Sequence, residues 1–179
     1  MKKEGGRDNS NSQSEIPLRI GSYDDMFSSL DPRPYSHKAL SGDFLSECKK
    51  ASIEKKKVDE IKLFLPKSKR NVVEETKIKE RLKEHFNKHF TEKRKEINRI
   101  KMNGASWFVV GSIIIVLTAV FVENPNSMFL KVLINISHPA GWFFLWEGLG
   151  KIILFSHEKI PEYTFYKKMD RAKVTFLNW

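Results

Sequence analysis

With 179 residues, the chain has room for one modest domain and a small additional module, which excludes a large multidomain enzyme. Charged residues crowd the region up to Gly104, whereas Ala105 to Phe155 holds only Glu123, Lys131, Glu147 and Lys151, so two different solvents are implied. The formal net charge of +10 raises nucleic acid as a partner. The basic residues nearest the apolar region, Lys93, Arg94, Lys95, Arg99 and Lys101, have another use beside a membrane, and no nucleic acid is expected.

Residues 1–15 (MKKEGGRDNSNSQSE) have a basic start and no apolar stretch behind it, so they read as a disordered polar tail and not as a signal peptide. Residues 16–104 read as a cytosolic α+β part ending in a long amphipathic helix. Ile16-Pro17-Leu18-Arg19-Ile20 alternates like a half-buried strand, ended by Gly21-Ser22. Asp31-Pro32-Arg33-Pro34-Tyr35 predicts a stiff loop, because proline fixes its own φ and restricts the residue before it.

Ser41 can cap a helix running to about Lys56, with Phe44, Leu45, Cys48 and Ala51 or Ser52 on one stripe. Ile61 to Leu65 predicts a second strand, stopped by Pro66. Asn71, with Glu74 three residues on, has the pattern of an N-cap with its reciprocal partner. A long helix then carries Ile78, Leu82, Phe86, Phe90, Ile97 and Ile100 on one face and meets no strong breaker before Gly104.

Ala105 to Val122 is a run of 18 uncharged residues, about 27 Å as a helix, and nearly matches a hydrocarbon core of about 30 Å. It is the expected first transmembrane helix (105–122). Glu123-Asn124-Pro125-Asn126 is a turn, and 123–139 reads as a non-cytoplasmic loop with an interfacial helix at Phe129 to Ile136. The expected second crossing is 140–156. A competing reading runs the crossing from Met128 to Trp146 with a proline kink, leaving Lys151 in a surface helix.

Gly111 and Ser112 on the first segment, and Gly141 and Gly148 on the second, form a candidate helix-packing face, since small residues let backbones approach. Glu147 and Lys151 form a candidate intramembrane polar site, with an i, i+4 ion pair as the structural reading and ion passage or subunit contact as the functional one. Basic residues flank both outer ends, so both termini are expected in the cytosol of a two-pass inner (plasma) membrane protein.

Residues 157–179 read as a cytosolic segment whose strand, Ala172 to Leu177, completes the α+β domain. Cys48 is the only cysteine, which excludes an internal disulfide framework and a multi-cysteine zinc site. His85 and His89 have metal-like i, i+4 spacing, but a third ligand and the zinc-protease glutamate are missing, so no metal or cofactor is expected. No glycine-rich phosphate loop, nucleophile elbow or carboxylate pair stands out, and catalysis is not expected.

Ser22-Tyr23-Asp24-Asp25-Met26-Phe27, Leu30-Asp31-Pro32-Arg33-Pro34, Leu40 to Leu45, Gly141-Trp142-Phe143 and Trp146-Glu147-Gly148-Leu149 together resemble an uncharacterised family of small prokaryotic membrane proteins. That resemblance implies an α+β domain interrupted by a transmembrane hairpin and implies no activity. The expected role is a non-enzymatic, membrane-anchored binding or assembly module with a protein or small-ligand partner or a homo-oligomeric state, set in a bilayer with anionic headgroups near Lys93 to Lys101. The alternative is an oligomeric pore-forming or membrane-perturbing protein with Glu147 at the helix interface.

Overall fold

The computed structural model describes residues 14–121 and 127–179. The expected tail over 1–15 therefore lies almost entirely outside the described residues, as does the turn at Glu123 to Asn126. The chain divides into two compact units: a sheet unit, which runs to Thr91 and resumes over Glu162–Trp179, and a helix-pair unit, Glu92–Pro161.

Three strands form the sheet: β1 (Glu15–Arg19), β2 (Glu60–Leu65) and β3 (Lys173–Asn178), in the order β1-β2-β3 and all parallel. The register aligns Ile16 with Ile61 and Val174, and Leu18 with Leu63 and Phe176. Each row puts apolar side chains from all three strands on one face, which helices then cover. Ile16, Ile61, Leu63 and Leu65 are wholly buried there, and burial of each such side chain contributes about 1.5–3 kcal/mol. Pro17 is tolerated because β1 is an edge strand.

The expected α+β arrangement is corrected in one respect. The strands alternate with helices and pair in parallel, so the connections are of the α/β kind. Parallel neighbours require a crossover, and α1 (Gly42–Ile53) supplies the first. Ser41 caps it, its hydroxyl accepting from the N–H groups of Asp43 and Phe44, and Phe44, Cys48 and Ser52 are buried at i, i+4 spacing. The helix ends at Ile53, short of the expected Lys56, where the Lys168 ammonium takes the carbonyls of Ser52 (2.9 Å) and Lys55 (2.6 Å). A cation there meets the negative end of the helix dipole.

The second crossover leaves through α2 (Val72–Phe121) and returns through α3 (Met128–Gly150) and α4 (Ser156–Arg171), the last two joined by a π turn at Lys151–Phe155. Ile78, Leu82 and Phe86 of α2 and Phe165 and Met169 of α4 join Phe44 and Cys48 in the sheet unit's core. Continuity of α2 through Gly104 agrees with the lack of a breaker in that stretch. The proposed break at His138-Pro139 is different: Pro139 lies inside α3, which is a single helix from Met128. Residues 128–139 are therefore not a loop with a separate interfacial helix. Proline's fixed φ is compatible with the helix, and its missing N–H removes one bond without ending it.

Candidate functional site

In the helix-pair unit, α2 and α3 meet along glycines. A Cβ on Gly148 would lie 2.5 Å from the Phe108 nitrogen, on Gly111 2.6 Å from the Leu145 nitrogen, on Gly104 2.8 Å from the Gly148 oxygen, and on Gly141 2.8 Å from Ile115 Cγ1. Real Cβ atoms do not approach backbone so closely, so Gly104, Gly111 and Gly148 accept only hydrogen, whereas at Gly141 the close neighbour is the Ile115 side chain. Gly104 thus belongs to the same seam as Gly111, Gly141 and Gly148. Ser112 plays a different part: its hydroxyl donates to the Phe108 carbonyl of its own helix at 2.8 Å.

Glu147 and Lys151 form an ion pair one turn apart. The Lys151 ammonium also stands 4.7 Å from the centroid of the Trp107 ring, and Trp107 in turn packs on Phe144 at 5.0 Å. Lys151 opens the π turn, whose last residues lead to Ser156, hydrogen-bonded back to Ile152. The charge on Glu147 therefore has its partner in the same helix, and the cation has an aromatic face.

The outward surfaces of these helices are apolar. Val109, Val110, Ile113, Val116 and Val120 of α2 and Phe143, Trp146 and Leu154 beyond α2 are 47–70% exposed. Two helices here are long and apolar enough to cross a membrane, and only 17% and 6% of their most apolar windows are buried. A core helix of a water-soluble domain shows the reverse distribution. Before the apolar run, Arg94, Lys95, Arg99 and Lys101 are exposed, while Lys93 and Lys159 lie 3.4 and 3.6 Å from the Glu96 carboxylate.

In the sheet unit, the carboxyl ends of the strands are tied by a partly buried polar network, centred on the buried Tyr23 and Glu75, that sequence reasoning missed. The Tyr23 hydroxyl donates to Glu75 Oε1 (3.1 Å) and accepts the Asn71 N–H (2.9 Å). The Arg70 guanidinium grips both Glu75 oxygens (2.7 and 2.9 Å) and donates to Asn178 Oδ1 at 2.8 Å. Loops after β1 and β2 and the end of β3 are thereby joined. Arg70 and then Tyr23 hold the Glu75 carboxyl below its ordinary value, despite burial, and burial pushes the Tyr23 phenol up.

Asn71 does cap α2, accepting from Val73 and Glu74, but the expected reciprocal bond is replaced. The N–H of Asn71 goes to Tyr23, and Glu74 pairs with Lys77 at 3.0 Å. The loop between β1 and α1 is braced as its prolines suggest. Asp31 takes Arg33 in a two-pronged contact and the Ala39 N–H at 2.7 Å, and Phe27 bridges Leu40.

His85 and His89 stand with ring centroids 4.4 Å apart, and His89 stacks on Tyr166 at 5.1 Å. Nε2 of His85 is buried without a hydrogen bond, and burial, followed by the neighbouring His89, Arg81 and Lys88, lowers its pKa to about 4. Among the described residues, no group of three or more His, Cys, Asp or Glu side chains converges as a metal site would require. Cys48 is wholly buried and burial pushes its thiol up to about 12, so it is not a thiolate nucleophile at neutral pH.

Compared with known proteins, the chain matches no family model, no curated protein and no solved structure.

Proposed function

We propose that this is a two-pass membrane protein in which the helix pair anchors the sheet unit at the cytosolic surface of the inner (plasma) membrane, where that unit binds a partner without catalysing a reaction. The observation that carries the reading is the outward apolar surface of the two long helices, of which 17% and 6% of the most apolar windows are buried. In water such a surface would far exceed the few hundred Å² that soluble proteins leave open. In lipid it is the ordinary state, and the helices satisfy their own backbone groups.

The exposed Arg94, Lys95, Arg99 and Lys101 suit the headgroup level of an anionic leaflet and favour that side as cytosolic. This use of the positive charge displaces nucleic acid as the partner. Leu30, 92% exposed on the loop that Asp31 braces, is the most exposed large apolar side chain among the described residues and suits a protein contact. The pairing of Glu147 with Lys151 favours an anchor over a pore, because it gives the Glu147 carboxylate a cation within its own chain segment. Kinship with the prokaryotic membrane family belongs to the same proposal.

Alkaline carbonate extraction of membranes tests the reading. The protein is expected to stay in the pellet until detergent is added; release into the carbonate supernatant would contradict it.

A further inference from the structure

We propose that the sheet unit holds a phosphate-binding groove between Lys56–Val58 and α4. A cavity of about 210 Å³ lies there, lined by Lys56, Lys57, Thr164, Lys167, Lys168 and Arg171 over the buried Val58, with no carboxylate in its wall. Five like charges converge from two elements far apart in sequence. Two are already compensated, since Lys57 lies 2.5 Å from Asp59 and Lys168 is held by the carbonyls of Ser52 and Lys55. Lys56 and Arg171 have no ion-pair partner among the described residues, and Lys167 has only the Tyr163 ring, 5.7 Å away.

The remaining three cations and the Thr164 hydroxyl match a doubly charged tetrahedral anion better than a single carboxylate. Arginine offers a planar fork to phosphate oxygens and lysine a mobile point charge. Arg171 also borders a second cavity of about 420 Å³, lined by Lys79, Lys83, Lys173 and Val174 beside the buried Phe86 and Met169. A phosphate ester seated against Arg171 has room to extend toward this second, lysine-rimmed cavity. Either a soluble phosphorylated compound or a lipid headgroup carries this chemistry. The groove lies wholly within the sheet unit, so the inference stands independently of the membrane reading.

The test is calorimetric titration of the full-length protein with inorganic pyrophosphate in neutral detergent. The variant Lys56→Gln/Lys167→Gln/Arg171→Gln is expected to bind about tenfold or more weakly, whereas Lys49→Gln/Lys67→Gln/Lys88→Gln, which removes equal charge elsewhere, stays within about twofold at the same ionic strength. If the triple variant does not fold, Lys56→Gln alone is expected to weaken binding about threefold. Failure of the wild type to bind pyrophosphate, or equal weakening in both triple variants, would overturn the groove. Repeating the titration in phosphatidylcholine nanodiscs with and without phosphatidic acid assigns the source. Competition by phosphatidic acid in the wild type supports a headgroup ligand, and unchanged binding supports a soluble one.

Discussion

The hydroxyl of Tyr23 donates to Glu75 at 3.1 Å across 52 positions of sequence, and the same oxygen accepts the N–H of Asn71 at the start of α2. One phenol thus joins the loop after β1 to the helix after β2. Tyr23→Phe removes both bonds at once and leaves a backbone donor without its partner, so it is expected to lower stability by about 1–2 kcal/mol. Glu75→Ala strands the Arg70 guanidinium beside a buried site and is expected to lose more, about 3 kcal/mol. Chemical denaturation of the purified protein, followed by circular dichroism, measures both.

The same network sets part of the pH dependence. Glu75 in the fold lies below its ordinary value of 4.5, so as pH falls the unfolded chain takes up the proton first. The stabilising contribution is complete above about 4.5 and fades as pH drops through the lower, folded value. Asp24, held down by Lys38, adds in the same direction. His85 acts in a higher window: its folded value is about 4 against an ordinary 6.5, so stability declines as pH falls from 6.5 toward 4 and levels below. Thermal melts across pH are expected to show both declines, and His85→Gln to remove only the upper one.

The glycine seam gives a paired test. Gly148→Ala places a methyl 2.5 Å from the Phe108 nitrogen and must push the helices apart, which is expected to destabilise the pair by about 1–3 kcal/mol. Gly150→Ala meets nothing within 4 Å and keeps a helical backbone. Removing the glycine penalty there is expected to stabilise the helix by about 0.5–1 kcal/mol. Spin-label distances between α2 and α3 should widen in the first variant and hold in the second.

Glu147→Gln leaves Lys151 without its carboxylate, and Lys151→Met leaves Glu147 without its cation. Each single change is expected to lower the thermal midpoint in detergent more than the double change does, because only the single variants retain an unmatched charge. Reconstituted wild-type protein is expected to pass no current. A current abolished by Glu147→Gln would instead support the pore.

The strands and the first long apolar helix were readable because their signals are local. Ile16, Leu18 and Ile20, then Ile61, Leu63 and Leu65, alternate within a few residues, and the charge-free run after Gly104 needs no partner to be recognised. The sheet's parallel register was not readable, since it depends on where α1 and α2 return the chain. The roles of Glu74 and Glu75 show the same limit. Both suit a helix N-terminus, but only the approach of Tyr23 from the preceding loop makes Glu75 the buried one. At His138-Pro139 the local signal misled, because a proline inside a long apolar helix removes one bond without breaking it.

That the first long apolar helix crosses a membrane is tested most directly by labelling single thiols in intact cells with a membrane-impermeant maleimide. Cys48 supplies no background, being wholly buried with its thiol pushed up to about 12. The exposed positions Ser127 and Lys95 are suited to carry the probes. Ser127→Cys is expected to label in intact cells, and Lys95→Cys only after the cells are opened. Labelling of both thiols under the same condition would contradict a crossing between them.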